Sequence, residues 1–314
     1  MTEGSRPEPP GATTSSSSPL VQRLAILGLG LIGGSVGLAC RVRGLAGEIR
    51  GADEEPNHCT HAIALGIVDL AFSDAASAVE GADMVVLAVP IGAIAPTIER
   101  IAPHLAPGAV VTDVGSVKGV VAAAMDRLLP GGNGVPGHPI AGRETSGPHA
   151  ASAKLFVGAK CALTPSRSTD PAAVTRVRAL WNGMGSEVIE MSPERHDEIF
   201  AAVSHLPHIV AYALMGALFD LEGGEDLREF AAGGLRDFSR VAMSHPVMWR
   251  DICLANREPI LKMIERFQVA LGDLAAKISA EDGEGLYQRF ARARACREEF
   301  GSGNEGSNRE RPGQ

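Results

Sequence analysis

The residues best suited to chemistry in this chain converge on the imidazole of His138, which opens the stretch GHPIAGRETSGPHAA from Gly137 to Ala151. An imidazole titrates near pH 6.5 when unperturbed, so it can wait neutral and accept a proton at cellular pH. Upstream lies GLGLIGGSVG, with Gly28, Gly30 and Gly33 in the G-x-G-x-x-G spacing of a dinucleotide-binding turn. A base paired with such a turn predicts an oxidoreductase in which the histidine takes a proton while a nicotinamide takes a hydride.

The glycine spacing has a mechanical reason. The first glycine makes the turn, the second lets backbone approach the pyrophosphate, and the third lets helix pack on strand. The pyrophosphate is expected at the helix N-terminus, where the N–H groups from Leu31, Ile32 and Gly33 point outward and the dipole favours an anion. A glycine-rich turn without a ligand is the alternative, but an apolar run, Leu24 to Leu27, precedes the motif and a helix-compatible stretch follows it. Asp53 closes the next strand, EIRGAD. A carboxylate there can accept both ribose hydroxyls and repels a 2′-phosphate, which favours NAD over NADP.

These groups need a scaffold, and the pattern supplies one. From Val21 to about Met191, short β-branched runs alternate with helical stretches, as in a parallel α/β sheet. Strands are expected at Leu24 to Leu27, Ile49 to Ala52, Met84 to Val89, Val110 to Val114, Val135 to Pro139, Ala159 to Leu163 and Glu187 to Glu190. Ligands in such sheets sit beyond the carboxyl ends of strands, which puts Val89, Pro90, Asp113 and Ser116 beside the cofactor cleft. Beyond Met191 the pattern turns helical: Ser192 and Pro193 read as cap and first residue of a long apolar helix through Phe219. Helical stretches at Asp226 to Phe230, Pro246 to Phe267 and Val269 to Phe300 follow.

The expected fold class is therefore α/β, an N-terminal Rossmann-like dinucleotide-binding domain plus a C-terminal all-helical dimerisation domain. The expected divisions are a disordered tail over 1–20, the NAD-binding domain over 21–191, the helical domain over 192–300 and a disordered tail over 301–314. Pro193 to Phe219 and VMWRDICLANREPILKMI are apolar around most of their circumference and must be covered on several sides. Two copies packing together would do this, so a homodimer is expected.

Composition narrows the partners. Charged residues at 21% and hydrophobic ones at 45% are ordinary for a globular protein, and the net charge of −8 argues against nucleic acid or an anionic membrane. Five scattered cysteines without CxxC or His-Cys spacing make a zinc site or disulfides improbable, so no metal and a reducing cytoplasmic home are expected. The Ser- and Pro-rich start does not read as a signal peptide, and no uncharged apolar run was expected to reach membrane-spanning length.

Taken together, GLGLIGGS, DVGSVKG, GHPIAGRETSG, SHLPH and GGLRDFSRVAMSHPVMWRDICLAN resemble the motifs of the prephenate and arogenate dehydrogenase family, over about Val21 to Phe300. Nothing before Val21 resembles a chorismate mutase domain, and the chain is similar to the stand-alone form. The resemblance implies an NAD-dependent oxidative decarboxylation of prephenate, or of arogenate, in tyrosine synthesis. It implies that His138 is the catalytic base and that Ser116, in D-x-x-S-x-K, orients it or the substrate alcohol and borders the cofactor; the other reading of Ser116 is a cap for a helix starting at Val117. Arg240 corresponds to the family's carboxylate-binding arginine, and Arg236, one turn earlier, is a second candidate; either could instead be a surface charge. By the same resemblance His208 lines the side-chain end of the pocket, His205 stands close by, Glu144 shapes access, and Trp249 is pocket wall or core. Arg143 departs from the smaller polar residues of the family, which bears on substrate selection. A β-hydroxyacid dehydrogenase is the rival enzyme, but its catalytic lysine has no counterpart in Lys262 or Lys277; a nucleotide-sensing regulator is the non-enzymatic rival, and it would not need His138, Ser116 and Arg240 together.

Overall fold

The structure, a computed structural model, describes residues 18–142, 145–221 and 229–302. Most of the two expected disordered tails, Arg143, Glu144 and most of the expected Asp226 to Phe230 helix lie outside these residues; the last helix runs to Ser302, two residues into the expected C-terminal tail. The first half is built on a parallel sheet of six strands in the order β3-β2-β1-β4-β5-β6. These are β1 Val21–Leu27, β2 Ala46–Ala52, β3 Leu70–Phe72, β4 Met84–Leu87, β5 Val110–Asp113 and β6 Gly134–Val135.

The period-2 alternation of the central strands divides two cores between the sheet faces. Leu24, Ile26, Met84 and Val86 pack on one face with Val36 and Ala39 of helix α1 (Leu31–Val42) and with Trp181. Ala25, Leu27, Val85 and Leu87 pack on the other with Ile94 and Ile98 of a helix spanning Ile91–Ile101 and with Val121 and Met125 of a helix spanning Gly119–Leu128. Numbering the helices in order, α2 is Pro56–Ala64, α3 Ala75–Val79, α4 Ile91–Ile101, α5 Gly119–Leu128 and α6 Pro171–Gly183.

The expectation of one parallel sheet needs correction at its far end. The run Val135 to Pro139 is divided: β6 ends the first sheet, and β7 (Gly137–Pro139) starts a second with β8 (Lys160–Leu163) and β9 (Glu187–Glu190). In that sheet β7 and β8 are antiparallel, and β8 and β9 are parallel. Pro136 causes the division, because it has no N–H for a ladder. Its carbonyl instead accepts the Thr164 N–H at 2.9 Å, which hands the chain to the second sheet. The short β3 carries no alternating run long enough to be legible in the sequence.

The helical half opens with α7 (Pro193–Phe200), capped by the Ser192 hydroxyl, which accepts the Arg195 N–H at 3.2 Å. The expected uninterrupted helix to Phe219 is instead α7, a π-turn over Ala201–His205, and α8 (Leu206–Phe219). Pro207 explains the widening, since its ring cannot share space with a regular i−4 carbonyl and lacks an N–H. The expected Pro246 to Phe267 helix breaks at Asn256. Pro259 would clash with the preceding turn were the helix continuous, so α10 (Pro246–Ala255) stops and α11 (Arg257–Ser279) starts anew. Before it, α9 (Gly233–Ser239) runs into a 3-10 turn over Arg240–Met243; after it comes α12 (Gly283–Ser302).

One expectation about membranes does not hold. Pro193–Phe219, at 27 residues and mean hydropathy 1.5, is long and apolar enough to cross a bilayer by length and composition. His205, Pro207 and His208 interrupt the run for a reader, yet none adds a formal charge. Only 22% of its most apolar stretch is buried within the chain, which leaves a broad apolar face uncovered.

Candidate active site

The glycine turn and its neighbours form one cleft. Gly28, Gly30, Asp53, Val89 and Pro90 line a cavity of about 350 Å³ with Glu54, His58, Ser73, Thr97 and Arg100. Gly28 has φ +94°, and a side chain there would drive into the Ala88 carbonyl at the end of β4. At Gly33 a Cβ would overlap the Gly28 carbonyl, so the first turn of α1 can lie against the strand only without one. Gly30 is different: no protein atom stands within 4 Å of its missing Cβ. It precedes Leu31 and Ile32 without any side-chain cap, so the opening N–H groups of α1 remain available to an anion. The Asp53 carboxylate accepts the Leu29 N–H at 2.6 Å and the Glu55 N–H at 2.9 Å, which holds it beside the turn.

Asp113 does not border this cleft, contrary to expectation. It is fully buried, ion-paired to the equally buried Lys118. The pair grips the residue before the histidine from both sides: Gly137 donates its N–H to Asp113 at 3.0 Å, and its carbonyl accepts from Lys118 Nζ at 2.7 Å. Burial pulls the Lys118 ammonium below the usual lysine value, with Asp113 opposing that loss. Ser116 sits half-buried in the middle of the loop between these two ends. It is not the helix cap that the alternative reading made it, because α5 starts at Gly119 behind Lys118.

His138 follows on β7, half-buried, with its Nδ1 2.9 Å from Nε2 of His196. His196 is buried and places its own Nδ1 2.8 Å from an Asp197 oxygen. Asp197 takes the Lys118 N–H at 2.7 Å and the Gly119 N–H at 2.8 Å, so a carboxylate on α7 caps the N-terminus of α5 across the two halves. Phe200 walls the pair, its ring centre 4.7 Å from that of His138 and 4.3 Å from that of His196. Burial holds His138 well below the ordinary histidine value, with Lys118 adding to the depression, and it lowers His196 also, against the pull of Asp197.

The remaining predicted residues join through Asn256. Its amide nitrogen lies 2.9 Å from the Asp197 carbonyl and 3.0 Å from His205 Nδ1. His205 is buried and depressed to about 4 by desolvation, and it meets the edge of Trp249. His208 stacks on the same indole with ring centres 3.8 Å apart, so the two histidines do share one helix face. Trp249 is 7% exposed and packs against Val117 and Ile252, which makes it core between the halves. Arg236 on α9 and Arg240 on the 3-10 turn are exposed, in a layer held to α8 by the Tyr212 hydroxyl, which donates to the Ser244 carbonyl at 2.7 Å.

Sequence reasoning passed over Lys118 as a functional residue and missed His196, Asp197, Asn256 and Phe200 altogether. A lysine between Val117 and Gly119 in an apolar loop was the one available signal. His196 and Asp197 sit in PERHDE, which reads as a solvated helix start. No group of three or more metal-ligating side chains occurs among the described residues.

Comparisons with known proteins agree along the length of the chain. The family model for the nucleotide-binding domain of prephenate dehydrogenase matches residues 36–190, and that for its dimerization domain matches residues 192–292. Prephenate dehydrogenase of Bacillus subtilis is 36% identical over 278 residues, covering 88% of this chain and 75% of that protein. Cyclohexadienyl dehydrogenase of Zymomonas mobilis is 34% identical, covering 88% and 95%. The crystal structure of prephenate dehydrogenase from A. aeolicus, in complex with hydroxyphenyl propionate and NAD+, is 38% identical and superposes with a TM-score of 0.85 over 91% of this chain and 99% of that one. With both halves matched in order, and relatives more than one-third identical across most of its length, this chain belongs to the prephenate dehydrogenase family.

Proposed function

We propose that this protein is an NAD-dependent dehydrogenase that converts prephenate to 4-hydroxyphenylpyruvate by oxidative decarboxylation, with His138 as general base. The observation that carries the assignment is His138 itself: a half-buried imidazole kept neutral by its surroundings, on a strand clamped by Asp113 and Lys118. That clamp leaves the end of β5, which pairs with β4, and the residues after β4 line the dinucleotide cleft. The base, on β7 of the second sheet, is thus anchored at the carboxyl end of β5, the strand next to the one whose end lines the cleft.

The cleft fits the cofactor. Gly30 leaves open the space a pyrophosphate needs beside the free N–H groups of α1, and Asp53 and Glu54 place negative charge where a 2′-phosphate would be repelled. When bound, NAD supplies the hydride acceptor. The chain's own part is to hold the ring alcohol against His138 Nε2, take its proton, and exclude water from the aromatic wall formed by Phe200. Loss of CO2 from the oxidised ring sends the electron pair of the broken bond to the dienone oxygen, which takes back the proton held by His138, and the aromatic product makes the reaction downhill. Ser116 would orient the alcohol, and Arg240, with Arg236 behind it, would hold a substrate carboxylate. His208 and His205 would border the side-chain end, with Glu144 shaping access.

Arogenate, alone or beside prephenate, is the second reading, favoured by the resemblance to the Zymomonas enzyme, which is named for cyclohexadienyl substrates. The proposed assembly is a homodimer through residues 192–300, with 21–191 as the cofactor-binding half. Supporting it are the dimerization-domain match and the uncovered Phe219, Phe238, Met243, Leu254, Val269 and Phe290. The five free cysteines suit a reducing cytoplasm.

The test is purified protein with NAD+ and each substrate, following NADH and product. His138→Asn should leave NADH affinity within about twofold while lowering kcat about 100-fold or more. No NADH with either substrate would sink the function, and near-normal kcat in the variant would remove His138 from its role.

A further inference from the structure

Behind His138 the order of donors and acceptors fixes where each proton sits. The Asp197 carboxylate already takes two backbone N–H groups, from Lys118 and Gly119. A carboxylate is acceptor only, so the His196 Nδ1 facing it at 2.8 Å must carry a hydrogen. A neutral imidazole has one N–H, which leaves His196 Nε2 as a bare lone pair. That lone pair faces His138 Nδ1 at 2.9 Å, so His138 must be protonated on Nδ1 and bare on Nε2. The opposite tautomer would present an N–H to the substrate and could not act as a base.

We propose that His196, backed by Asp197, is the positioning residue that makes His138 a base, by locking its Nδ1–H tautomer and by sharing the positive charge when Nε2 takes the substrate proton. The inference rests on the proposed role of His138. In the step itself the substrate O–H proton goes to His138 Nε2, and the O–H electron pair becomes the second carbon–oxygen bond. The hydride leaves the carbinol carbon with its electron pair for the oxidised nicotinamide. Meanwhile the His138 Nδ1 proton shifts toward His196 Nε2, whose own Nδ1–H stays on Asp197. The charged and titratable groups facing this pair are Asp113, Lys118, Cys161, Asp197 and His205. Lys118 disfavours a positive charge on either ring, and at His196 the Asp197 carboxylate, with Asp113 behind it, opposes that, so the charge is best shared toward His196.

The lock also crosses the molecule. His138 belongs to the second sheet of the first half, whereas His196 and Asp197 stand on α7, and Asn256 of the helical half holds the Asp197 carbonyl. Docking of the helical half therefore sets the protonation of a base on the other half.

Two variants divide the contact. In His196→Asn the amide stands near the old Nδ1, keeping Asp197 and losing His138; in His196→Gln an oxygen stands near the old Nε2, keeping an acceptor for His138. We expect kcat to fall about 100-fold in the first and to recover about tenfold in the second, with KM for NAD+ and prephenate within threefold in both. A purely structural role would lower kcat in step with Tm in both variants. Independently of turnover, long-range 1H–15N correlation spectra of histidine-labelled wild-type protein should show His138 protonated on Nδ1 and bare on Nε2, the signal being assigned by its loss in His138→Asn. An Nε2–H tautomer in that spectrum, or equal kcat in the Asn and Gln variants, overturns the lock. If neither variant folds, the wild-type spectrum decides alone. Failure of His138 as base would appear in the turnover of His138→Asn, and failure of the lock in the spectrum, so the two are told apart.

Discussion

Alanine at Gly30 should separate a glycine that the ligand needs from glycines that the fold needs. At Gly30 the backbone has φ −72° and ψ −157°, which any residue adopts, and a methyl group meets no protein atom within 4 Å. Stiffening the unfolded chain gains about 0.4–1 kcal/mol, and the poorer helix cap loses a similar amount, so stability should barely change. Tm should stay within about 3 °C. The methyl would nonetheless fill the space through which a pyrophosphate reaches the N–H groups of Leu31, Ile32 and Gly33. Losing one such charge-assisted bond costs about 1.5–3 kcal/mol, which raises Kd for NADH about 10- to 100-fold. Gly33→Ala reverses the pattern, because its methyl overlaps the Gly28 carbonyl and must push α1 off the strand, at about 1–3 kcal/mol or more of stability. NADH fluorescence titrations beside thermal melts read both effects. Wild-type NADH affinity in a well-folded Gly30→Ala protein would refute the placement of the pyrophosphate.

Arg240→Ala should raise KM for prephenate about 10-fold or more, from about 1.5–3 kcal/mol of a lost charge-assisted carboxylate contact, with Tm nearly unchanged because the side chain is exposed. Arg240→Lys should recover little, since a point charge lacks the two-pronged contact; a flat KM in both would move the anchor to Arg236. Stability should fall on acidification between about pH 6.5 and 4. His205 is depressed to about 4 when folded and returns to about 6.5 when unfolded, so the unfolded state binds more protons across that window. Its contribution, about 3 kcal/mol, is fully present above pH 6.5 and lost as pH falls to 4, and His138 and His196 act in the same direction. Denaturant midpoints measured from pH 7.5 to 4.5 check this, and a profile that stays flat would contradict the buried neutral histidines.

What the sequence made legible was whatever chemistry is local. The glycine spacing, the apolar runs of β1 and β4, and the Ser192-Pro193 helix start each follow from one residue's backbone or from a short run, and the structure has all three. The second sheet was not legible, because Pro136 breaks a run whose apolar pattern continues across it. Nor was the π-turn, since Pro207 could have ended the helix as readily as widened it. Each of these outcomes was decided by partners distant in sequence.

The same distinction explains why half of the proposed catalytic apparatus was out of sight. His138 stood out because its neighbours in sequence are unusual, whereas its working protonation state depends on residues 58 positions away that look like an ordinary charged helix start. Asp197 is legible as a cap only once α5 is known to start beneath it, and Lys118 as a clamp only once Gly137 is known to pass between it and Asp113. A buried polar cluster of this kind is costly if any member is missing, because each remaining group loses its partner in a low-dielectric interior. On the proposed mechanism the cluster ties folding to chemistry, because the contacts that dock the helical half are those that leave the Nε2 lone pair of His138 bare. Substitutions at Asn256 or Lys118, neither of which need touch substrate, should on this account disturb the base as well as the fold.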